Sequence, residues 1–588
     1  MNNTAFASNY ASHLSSSPVV TRFGLLFVVI CGGAVSRCPG QSIVSSADRS
    51  VAVTIGPSGS PRQTPAGNVV ATACPADASQ NLQAWTVDGW ASYERLWIEL
   101  ATNPADPVLR KYLGLPIGDA ANDSVVIKSN RGRSAPKWLG WRSGSYRQVE
   151  TPHLQIFSHA DDQTTREVAA DMERVFWVWT QLFYPLWEAK PQVALHLRGA
   201  DDRQSIASTL AKSRARLATR RKLRIVLLKD AADYARTLGQ SMPGIEQSTG
   251  FYSDERQTSF FYPSESSDAV ATRRHELVHQ LFREATRSGL GGESPGRDSD
   301  FWLVEGIAGY FESLQFVHNR ATVGGWDSPR LQFARYRVFG RREIMPLSEL
   351  GADGQTQAQR RDDLARWYSF AIAYTHQLLD GNDMAGRRWV YDQLAKLYQV
   401  NLQVPGARPP TEAELELVGF LRVDDEIVRT NPTSRVWSEL CLSGCQVTEK
   451  GLQTIESANN ARWIDLTSLP VSSADLKRLV PMPTALEQLS LEATGVDDSL
   501  GDWIANAKRL SELDLSQTRC GDQTIRNIAG HNRLRTLWLT GSAITDASIA
   551  VLTRLPSIES IDVQRTQITA QGLAKLKIAH PDWKINPL

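Results

Sequence analysis

Apolar residues recur with two different periods between residues 85 and 400, and these periods predict a mixture of helices and strands. Apolar positions three and four apart from Gln163 to Phe183 predict a helix, and two aspartates suited to cap it stand just before. Short apolar runs predict strands at Val193–Gly199 and Lys222–Asp230, and Gly250–Pro263 predicts an aromatic hairpin around a polar turn. We expect the hairpin to offer an edge strand to an extended peptide, the alternative being an ordinary half-exposed hairpin.

A second pattern, with a period of about 24 residues, occupies the chain from Ser434 onward. It resembles leucine-rich repeats of the short kind, which implies a strand, a turn and a helix in each repeat and six stacked strands in an open arc. Leucines two apart, such as Leu489 and Leu491, are expected to fill its core. Equivalent positions in successive repeats are spaced 24, 25, 24, 24 and 24 apart: Cys445, Leu469, Thr494, Thr518, Ser542 and Thr566.

The concave face of this arc is expected to carry a mildly acidic strip with one exposed aromatic residue. Repeat arcs often bind proteins, so a protein partner on this face is one expectation, and simple packing against the rest of the chain is the other. The outward-facing strand positions are Cys441, Asp465, Ser490, Asp514, Trp538 and Asp562.

The first 84 residues carry targeting and linker patterns. The apolar run Phe23–Val35 follows a polar stretch with Arg22 and is shorter than the roughly 20 apolar residues that cross a bilayer. Residues 1–36 therefore predict a secretory signal peptide and an exported protein that is periplasmic, on the cell surface or secreted; an uncleaved anchor is the alternative. Residues 37–84, rich in Ser, Pro, Gly and Ala, predict a disordered linker.

Composition narrows the function classes only a little. The formal net charge of +1 gives the whole chain no field that would attract nucleic acid or an anionic membrane, and no stable membrane span is expected. Six cysteines imply no disulfide framework, and the lack of a C-x-x-C pair removes cysteine zinc sites. Residues 85–190 are rich in tryptophan, which favours core anchors over a sugar-binding cleft.

The segment Ala271–Ala285 predicts a helix that carries His275, Glu276 and His279 in the order H-E-x-x-H. Residues four apart on a helix share a face, so the two imidazoles can reach one zinc ion. Glu276 is offset by about 100° and falls beside the histidines, where a carboxylate could take a proton from a metal-bound water. The alternative is an amphipathic helix with two half-buried histidines.

A second helix, predicted around Glu305, supplies a carboxylate in apolar surroundings. Glu305 follows His279 by 26 positions and stands among Leu303, Val304 and Ile307, where its charge needs a positive partner such as zinc. Gly306 and Gly309 in the same helix are unfavourable unless packing requires them. We expect Gly309 to let this helix approach the first one. Glu312 is expected to accept the free ring N–H of a ligand histidine, or else to be a solvated surface acid.

These residues resemble the active-site pair of gluzincin zinc metallopeptidases: H-E-L-V-H followed by W-L-x-E-G-x-A-x-Y-x-E, within 271–380. The resemblance implies a zincin-like α+β domain in which His275, His279 and Glu305 hold Zn²⁺ and Glu276 is the general base. It also implies a downstream tyrosine that stabilises the oxyanion, and Tyr368 is expected to take this role because it opens an apolar helix.

The sequence departs from two well-described branches of that group. The G-x-M-E-N signature of aminopeptidase N-like enzymes is absent, so removal of free amino-terminal residues is not implied. Thermolysin-like enzymes have an aspartate four residues after the third ligand, where this chain has Gly309. The resemblance is therefore to the group and to its secreted bacterial members.

The sequence as a whole predicts an exported zinc peptidase that acts on peptides or proteins. Its metallopeptidase domain is followed in the chain by leucine-rich repeats. The alternatives are a binding scaffold with a silent metallopeptidase-like domain, and hydrolysis of a non-peptide bond at the same kind of site. The predicted regions after the linker are an aromatic-rich α+β region at 85–190, a metallopeptidase domain at 191–403, a linker and cap at 404–433, and leucine-rich repeats at 434–588.

Overall fold

The structure is a computed structural model. The residues that it describes are 54–55, 61–62, 85, 87–117, 126–200, 204–218, 221–239, 242, 244–264, 267–317, 320–381, 383–431 and 436–586. The signal peptide predicted at 1–36 and nearly all of the linker predicted at 37–84 lie outside them. No helix of the described residues has the length and apolar character needed to cross a membrane.

Helices and sheets are mixed along the whole described chain, so the fold is of the α/β type in the broad sense. A short π-helix spans Tyr336–Gly340. The α-helices are α1 Trp90–Thr102, α2 Pro107–Leu113, α3 Asp162–Leu182, α4 Lys190–His196, α5 Ile206–Ser213, α6 Ala231–Leu238, α7 Ser267–Glu284, α8 Phe301–Phe311, α9 Pro329–Arg335, α10 Leu347–Ala352, α11 Gln355–Gln359, α12 Leu364–Asp380, α13 Met384–Leu397, α14 Ala413–Leu421, α15 Asp425–Thr430, α16 Glu449–Leu452, α17 Ser473–Leu479, α18 Gly501–Asn506, α19 Asp522–Asn527, α20 Ile549–Leu552 and α21 Ala570–Ala579.

The strands form two larger sheets and two short pairs. A six-stranded sheet has the order β3-β4-β5-β6-β8-β7, and a seven-stranded sheet has the order β11 to β17. The strands are β1 Thr54–Ile55, β2 Pro61–Arg62, β3 Lys128–Arg131, β4 Arg147–Glu150, β5 Leu154–Ser158, β6 Leu223–Leu227, β7 Gly250–Ser253, β8 Thr258–Phe261, β9 Gln315–Val317, β10 Arg320–Thr322, β11 Glu439–Cys441, β12 Trp463–Asp465, β13 Gln488–Ser490, β14 Glu512–Asp514, β15 Thr536–Trp538, β16 Ser560–Asp562 and β17 Lys584–Asn586.

The six-stranded sheet confirms two of the three strand predictions. β6 lies within the predicted run, and β7 pairs antiparallel with β8 as a hairpin whose first strand is the sheet edge. The strand predicted at Val193–Gly199 is wrong, because α4 extends to His196 and a turn follows it. Val193 and Leu197 are buried on one helical face while Leu195 between them is 59% exposed, so the apparent alternation reflected a helical period.

One hydrophobic core extends from Trp90 to Leu421. The regions predicted at 85–190 and 191–403 both contribute to it, so the packing does not break at residue 190. Four of the tryptophans in the aromatic-rich region are fully buried, as expected for core anchors: Trp97, Trp177, Trp179 and Trp187. A second core extends from Val423 to Trp583 and also includes Trp326, and the segment 404–433 contributes residues to both cores.

The seven-stranded sheet stacks one short strand from each repeat in parallel and in register. The central residue of each strand pairs with the next, as Leu489 pairs with Leu513 and Leu513 with Leu537. These leucines are buried in the second core, as expected. Thr494 and Thr518 donate their hydroxyl groups to the carbonyls of the residues three before them, at 2.7 and 2.6 Å, which satisfies a backbone group at each turn. The seventh strand, β17, was not predicted.

The beginning of the concave strip is covered, contrary to the expectation that Cys441 and Asp465 face outward. Both are buried, with 0% and 2% exposure. Helix α9 lies across them: the Gln332 side-chain oxygen accepts from the backbone N–H of Cys441 at 2.9 Å, and Phe333 stacks on Trp463 with ring centroids 5.3 Å apart. The later positions of the strip, from Ser490 onward, are partly exposed.

Both glycines of α8 face α12, which corrects the expectation that Gly309 faces the histidine helix. A Cβ on Gly309 would lie 2.4 Å from Cδ1 of Ile372, and a Cβ on Gly306 would lie 2.2 Å from Oγ1 of Thr375. Real Cβ atoms do not come this close to other atoms. The glycines therefore set how closely α8 approaches α12.

Gly306→Ala should destabilise the protein by about 1–3 kcal/mol, because the added methyl group overpacks the contact between α8 and α12. Gly419→Ala is the matched control, since Gly419 lies within α14 and a Cβ there meets nothing within 4 Å. The control should stabilise by roughly 0.5–1 kcal/mol through helix propensity. Urea unfolding of the two variants measures both effects, and a shift in the same direction for both would contradict this account.

Asp514→Asn should stabilise the repeats at pH 8 and do so less at pH 5. Burial, followed by the charge of Glu492, raises the pKa of Asp514 to about 7. The folded state thus binds a proton that the unfolded state has already released, and stability falls as the pH rises from about 4 to 7. Asparagine removes this loss, which we expect to be about 1–2 kcal/mol after solvent screening, and it can still accept from the backbone N–H of Ser516.

Asp562→Asn serves as the control at the equivalent strand position. The Asp562 carboxylate accepts hydrogen bonds from Thr540, Gln564 and Asn586, so its replacement should lower stability. Denaturant midpoints measured between pH 5 and pH 8 test both variants. Equal gains at both pH values for Asp514→Asn would contradict the assigned cause.

Candidate metal centre

Helices α7 and α8 bring three potential ligands together. The nitrogen atoms of His275 and His279 and a carboxylate oxygen of Glu305 lie within 4.8 Å of one another. Their side chains are almost completely removed from solvent, with 1%, 9% and 0% exposure. The spacing of four residues on α7 places both imidazoles on one face, and α8 packs against that face.

The distances between each histidine and Glu305 are close to, and in one case longer than, those between the ligands of a tetrahedral ion. Nε2 of His275 lies 3.4 Å from Oε2 of Glu305, and Nε2 of His279 lies 3.7 Å from Oε1 of the same carboxylate. Ligands about 2.0–2.1 Å from a tetrahedral zinc lie roughly 3.3–3.5 Å from one another. Nε2 of His279 and Oε1 of Glu305 are buried and make no hydrogen bond to the described residues. The three residues therefore form a buried cluster that could hold a metal ion.

Glu312 lies behind His275. Nδ1 of His275 is 2.9 Å from Oε1 of Glu312, a distance at which the ring N–H donates to the carboxylate and leaves Nε2 towards Glu305. The other oxygen of Glu312 forms an ion pair with the buried guanidinium of Arg330 on α9. This chain of contacts fixes the ring orientation of His275.

The two histidines differ in their electrostatic surroundings. Burial alone would lower the pKa of His275, but its hydrogen bonds to Glu305 and Glu312 outweigh burial and raise the pKa to about 10. Burial lowers the pKa of His279 to about 4, with the charge of Glu305 opposing it. For Glu305, burial is outweighed by the neighbouring histidines, and the pKa of its carboxyl is lowered. A carboxylate anion is thus available where a cation would bind.

Glu276 lies beside the ligands and against the sheet edge. Its Oε2 accepts the backbone N–H of Tyr252 in β7 at 2.9 Å, and its side chain is buried. Burial raises the pKa of Glu276 to about 7, opposed by the charge of His275. A carboxyl group with a pKa near 7 can both take and give a proton near neutral pH. The Tyr252 N–H is, however, already used, so a substrate strand cannot bind this donor while Glu276 keeps its position.

Tyr368, near the start of α12, reaches the same cluster. Its hydroxyl donates to Oε2 of Glu305 at 3.0 Å. The phenol therefore lies in contact with one potential ligand. Because α12 packs closely on α8 through Gly306 and Gly309, this distance depends on the two glycines.

Two contributors to the site were not predicted from the sequence. Arg330 lies 55 positions after His275, in a helix with no motif of its own, and no sequence signal points to its ion pair. Tyr252 acts through its backbone N–H, which every residue but proline has. Its position in the predicted edge strand is the one available signal.

Comparisons with known proteins give no information on this candidate metal centre. No protein family matches the chain, and neither does any curated protein. Part of the chain is similar to a solved structure of an internalin from Listeria monocytogenes, with 12% identity and a TM-score of 0.19. The match covers 24% of this chain and 45% of the internalin chain, so it spans less than half of that protein.

Glu312→Gln should weaken zinc binding about 10- to 100-fold, because a neutral amide orients His275 less firmly and leaves Arg330 without its ion pair. Competition with a chromophoric chelator measures the affinity. Glu293→Gln, at an exposed loop position, is the matched control and should bind zinc as the wild type does. Unchanged affinity in the folded Glu312→Gln variant would show that Glu312 does not support the centre.

Proposed function

We propose that this protein is a zinc-dependent peptidase whose N-terminal part has a zincin-like α+β domain. One observation carries the proposal: His275, His279 and Glu305 converge within 4.8 Å in a buried position, with Glu276 beside them. A buried carboxylate needs a positive charge beside it, and the H-E-x-x-H spacing supports a zinc ion held with the two histidines as that charge.

A zinc ion in this centre would act as a Lewis acid and make a water acidic enough to attack near neutral pH. Glu276 is the general base: it takes the proton of the attacking water and delivers it to the leaving amine. Tyr368, which donates to Glu305 in the resting structure, turns its hydroxyl towards the oxyanion once substrate is present. Glu312 and Arg330 hold His275 in place.

The C-terminal half is proposed to be a leucine-rich-repeat solenoid. Seven parallel strands in constant register, the buried leucine ladder and the recurring helices support this assignment. Its concave strip from Ser490 onward is the proposed surface for a protein partner, because α9 covers the earlier part of the strip. The protein is further proposed to be exported, on the sequence pattern of residues 1–36 alone.

The decisive experiment compares wild type with Glu276→Gln. Both should contain about one zinc per chain, because Glu276 is not a ligand. Wild type should degrade unfolded proteins, and Glu276→Gln should lose at least about 100-fold in kcat/KM, since a general base contributes on the order of 10²–10⁴. Metal analysis and a fluorogenic peptide library are the measurements.

Glu293→Gln again serves as the control and should keep full activity. Zinc-loaded wild type that is as inert as Glu276→Gln against the whole library would contradict the peptidase and favour a binding scaffold. Loss of zinc from Glu276→Gln would contradict the separate roles assigned to Glu276 and the three ligands.

A further inference from the structure

The segment 326–336, which contains helix α9, is anchored in the second core where it begins. Trp326 is 2% exposed and is a member of that core, which is the core of the repeats. Its ring centroid lies 5.7 Å from that of Trp437, and its Nε1 donates to the backbone carbonyl of Asn431 at 2.9 Å. Trp326 therefore precedes α9 in the chain but packs with the C-terminal half.

The other end of the segment is anchored on strands β11 and β12. The ring of Phe333 stacks on that of Trp463 with centroids 5.3 Å apart, and the ring of Tyr336 meets Trp463 edge-on at 5.4 Å. Aromatic contacts at such distances are favourable beyond the apolar area that they bury. Gln332 adds a hydrogen bond, because its side-chain oxygen accepts from the backbone N–H of Cys441 at 2.9 Å. The repeats thus hold the segment at both of its ends.

Arg330 lies between these two anchors. Its guanidinium forms an ion pair with Glu312, and the two side chains are 8% and 6% exposed. An ion pair withdrawn from water is favourable only while its geometry is good, so a displacement of α9 would weaken it. Glu312 in turn holds the ring of His275, whose Nδ1 lies 2.9 Å from its carboxylate. The position of α9 therefore bears on the orientation of a potential metal ligand.

Helix α9 is too short to keep its position alone. It has seven residues, about two turns, and isolated helices of this length are not stable in water. Packing therefore decides where Arg330 lies. α12 supports the helix from the N-terminal half, where Oγ of Ser328 lies 3.4 Å from Nε2 of His376. The aromatic contacts with Trp437 and Trp463 are the support from the repeats.

We propose that the repeats are a structural part of the candidate metal centre and that Trp463 is a positioning residue for His275. Trp463 acts through α9, which holds Arg330 against Glu312. This inference rests on the proposed metal site and adds a requirement to it. All three potential ligands lie in the N-terminal half, yet the first of them keeps its orientation only while the repeats hold α9. The repeats then have a role that needs no partner protein.

A double-mutant cycle on zinc affinity tests this chain of contacts in the full-length protein. Competition with a chromophoric chelator measures the affinity of wild type, Trp463→Ala, Glu312→Gln and the double variant, under conditions where circular dichroism shows each to be folded. Trp463→Ala should weaken zinc binding about 3- to 10-fold, less than the roughly 10- to 100-fold expected for Glu312→Gln. In the Glu312→Gln background the same change should have no further effect, because the pair that transmits it is already lost.

Trp538→Ala is the matched control and should bind zinc as the wild type does. Trp538 stands on the same face of the repeat sheet as Trp463 but three strands further along, about 14 Å away at the usual strand spacing. If Trp463→Ala does not fold, Phe333→Leu replaces it in the cycle, since it removes the same stacking and keeps an apolar side chain.

The outcomes separate this inference from the metal centre on which it rests. Zinc affinity of Trp463→Ala equal to that of the wild type would overturn the proposal, and so would an equal loss in both backgrounds. Absence of zinc binding by the wild type would overturn the metal centre itself, and this inference with it.

Discussion

The buried carboxylate of Glu305 is the constraint on which the rest of the N-terminal half depends. Glu305 is completely removed from solvent, and its carboxylate lies between two imidazoles from α7 and the phenol of Tyr368 from α12. An isolated charge in such a place would be expelled or neutralised, so the surrounding helices must supply compensating groups. α7 supplies the imidazoles, and the glycines of α8 allow α12 to bring the phenol near.

Helix α9 links this cluster to the repeats. Arg330 on its one side pairs with Glu312, which holds His275, and Gln332 on its other side accepts from the backbone of Cys441. One short helix thus contacts both the candidate metal centre and the first repeat strand. This arrangement joins two halves that have separate cores.

The sequence predicted what depends on local periodicity and missed what depends on contacts between distant segments. The helix of His275, the hairpin before it and the repeat strands follow from apolar patterns, and the structure has all of them. The strand predicted at Val193–Gly199 is wrong because seven residues are too few to distinguish alternation from a helical face. Gly309 packs against α12, and Asp465 is buried beneath α9. Neither contact can be predicted from the pattern of residues around Gly309 or around Asp465, because each depends on a distant helix.

The covered first strand makes the two ends of the repeat sheet unequal. β11 is tied to α9 through Cys441, whereas β17 has one strand neighbour and ends the sheet. Because each repeat contacts mainly its neighbours, adding or removing a whole repeat near β17 would not disturb the contact between β11 and α9. Removal of the unit that carries β17 is therefore expected to leave the contacts between β11 and α9 in place.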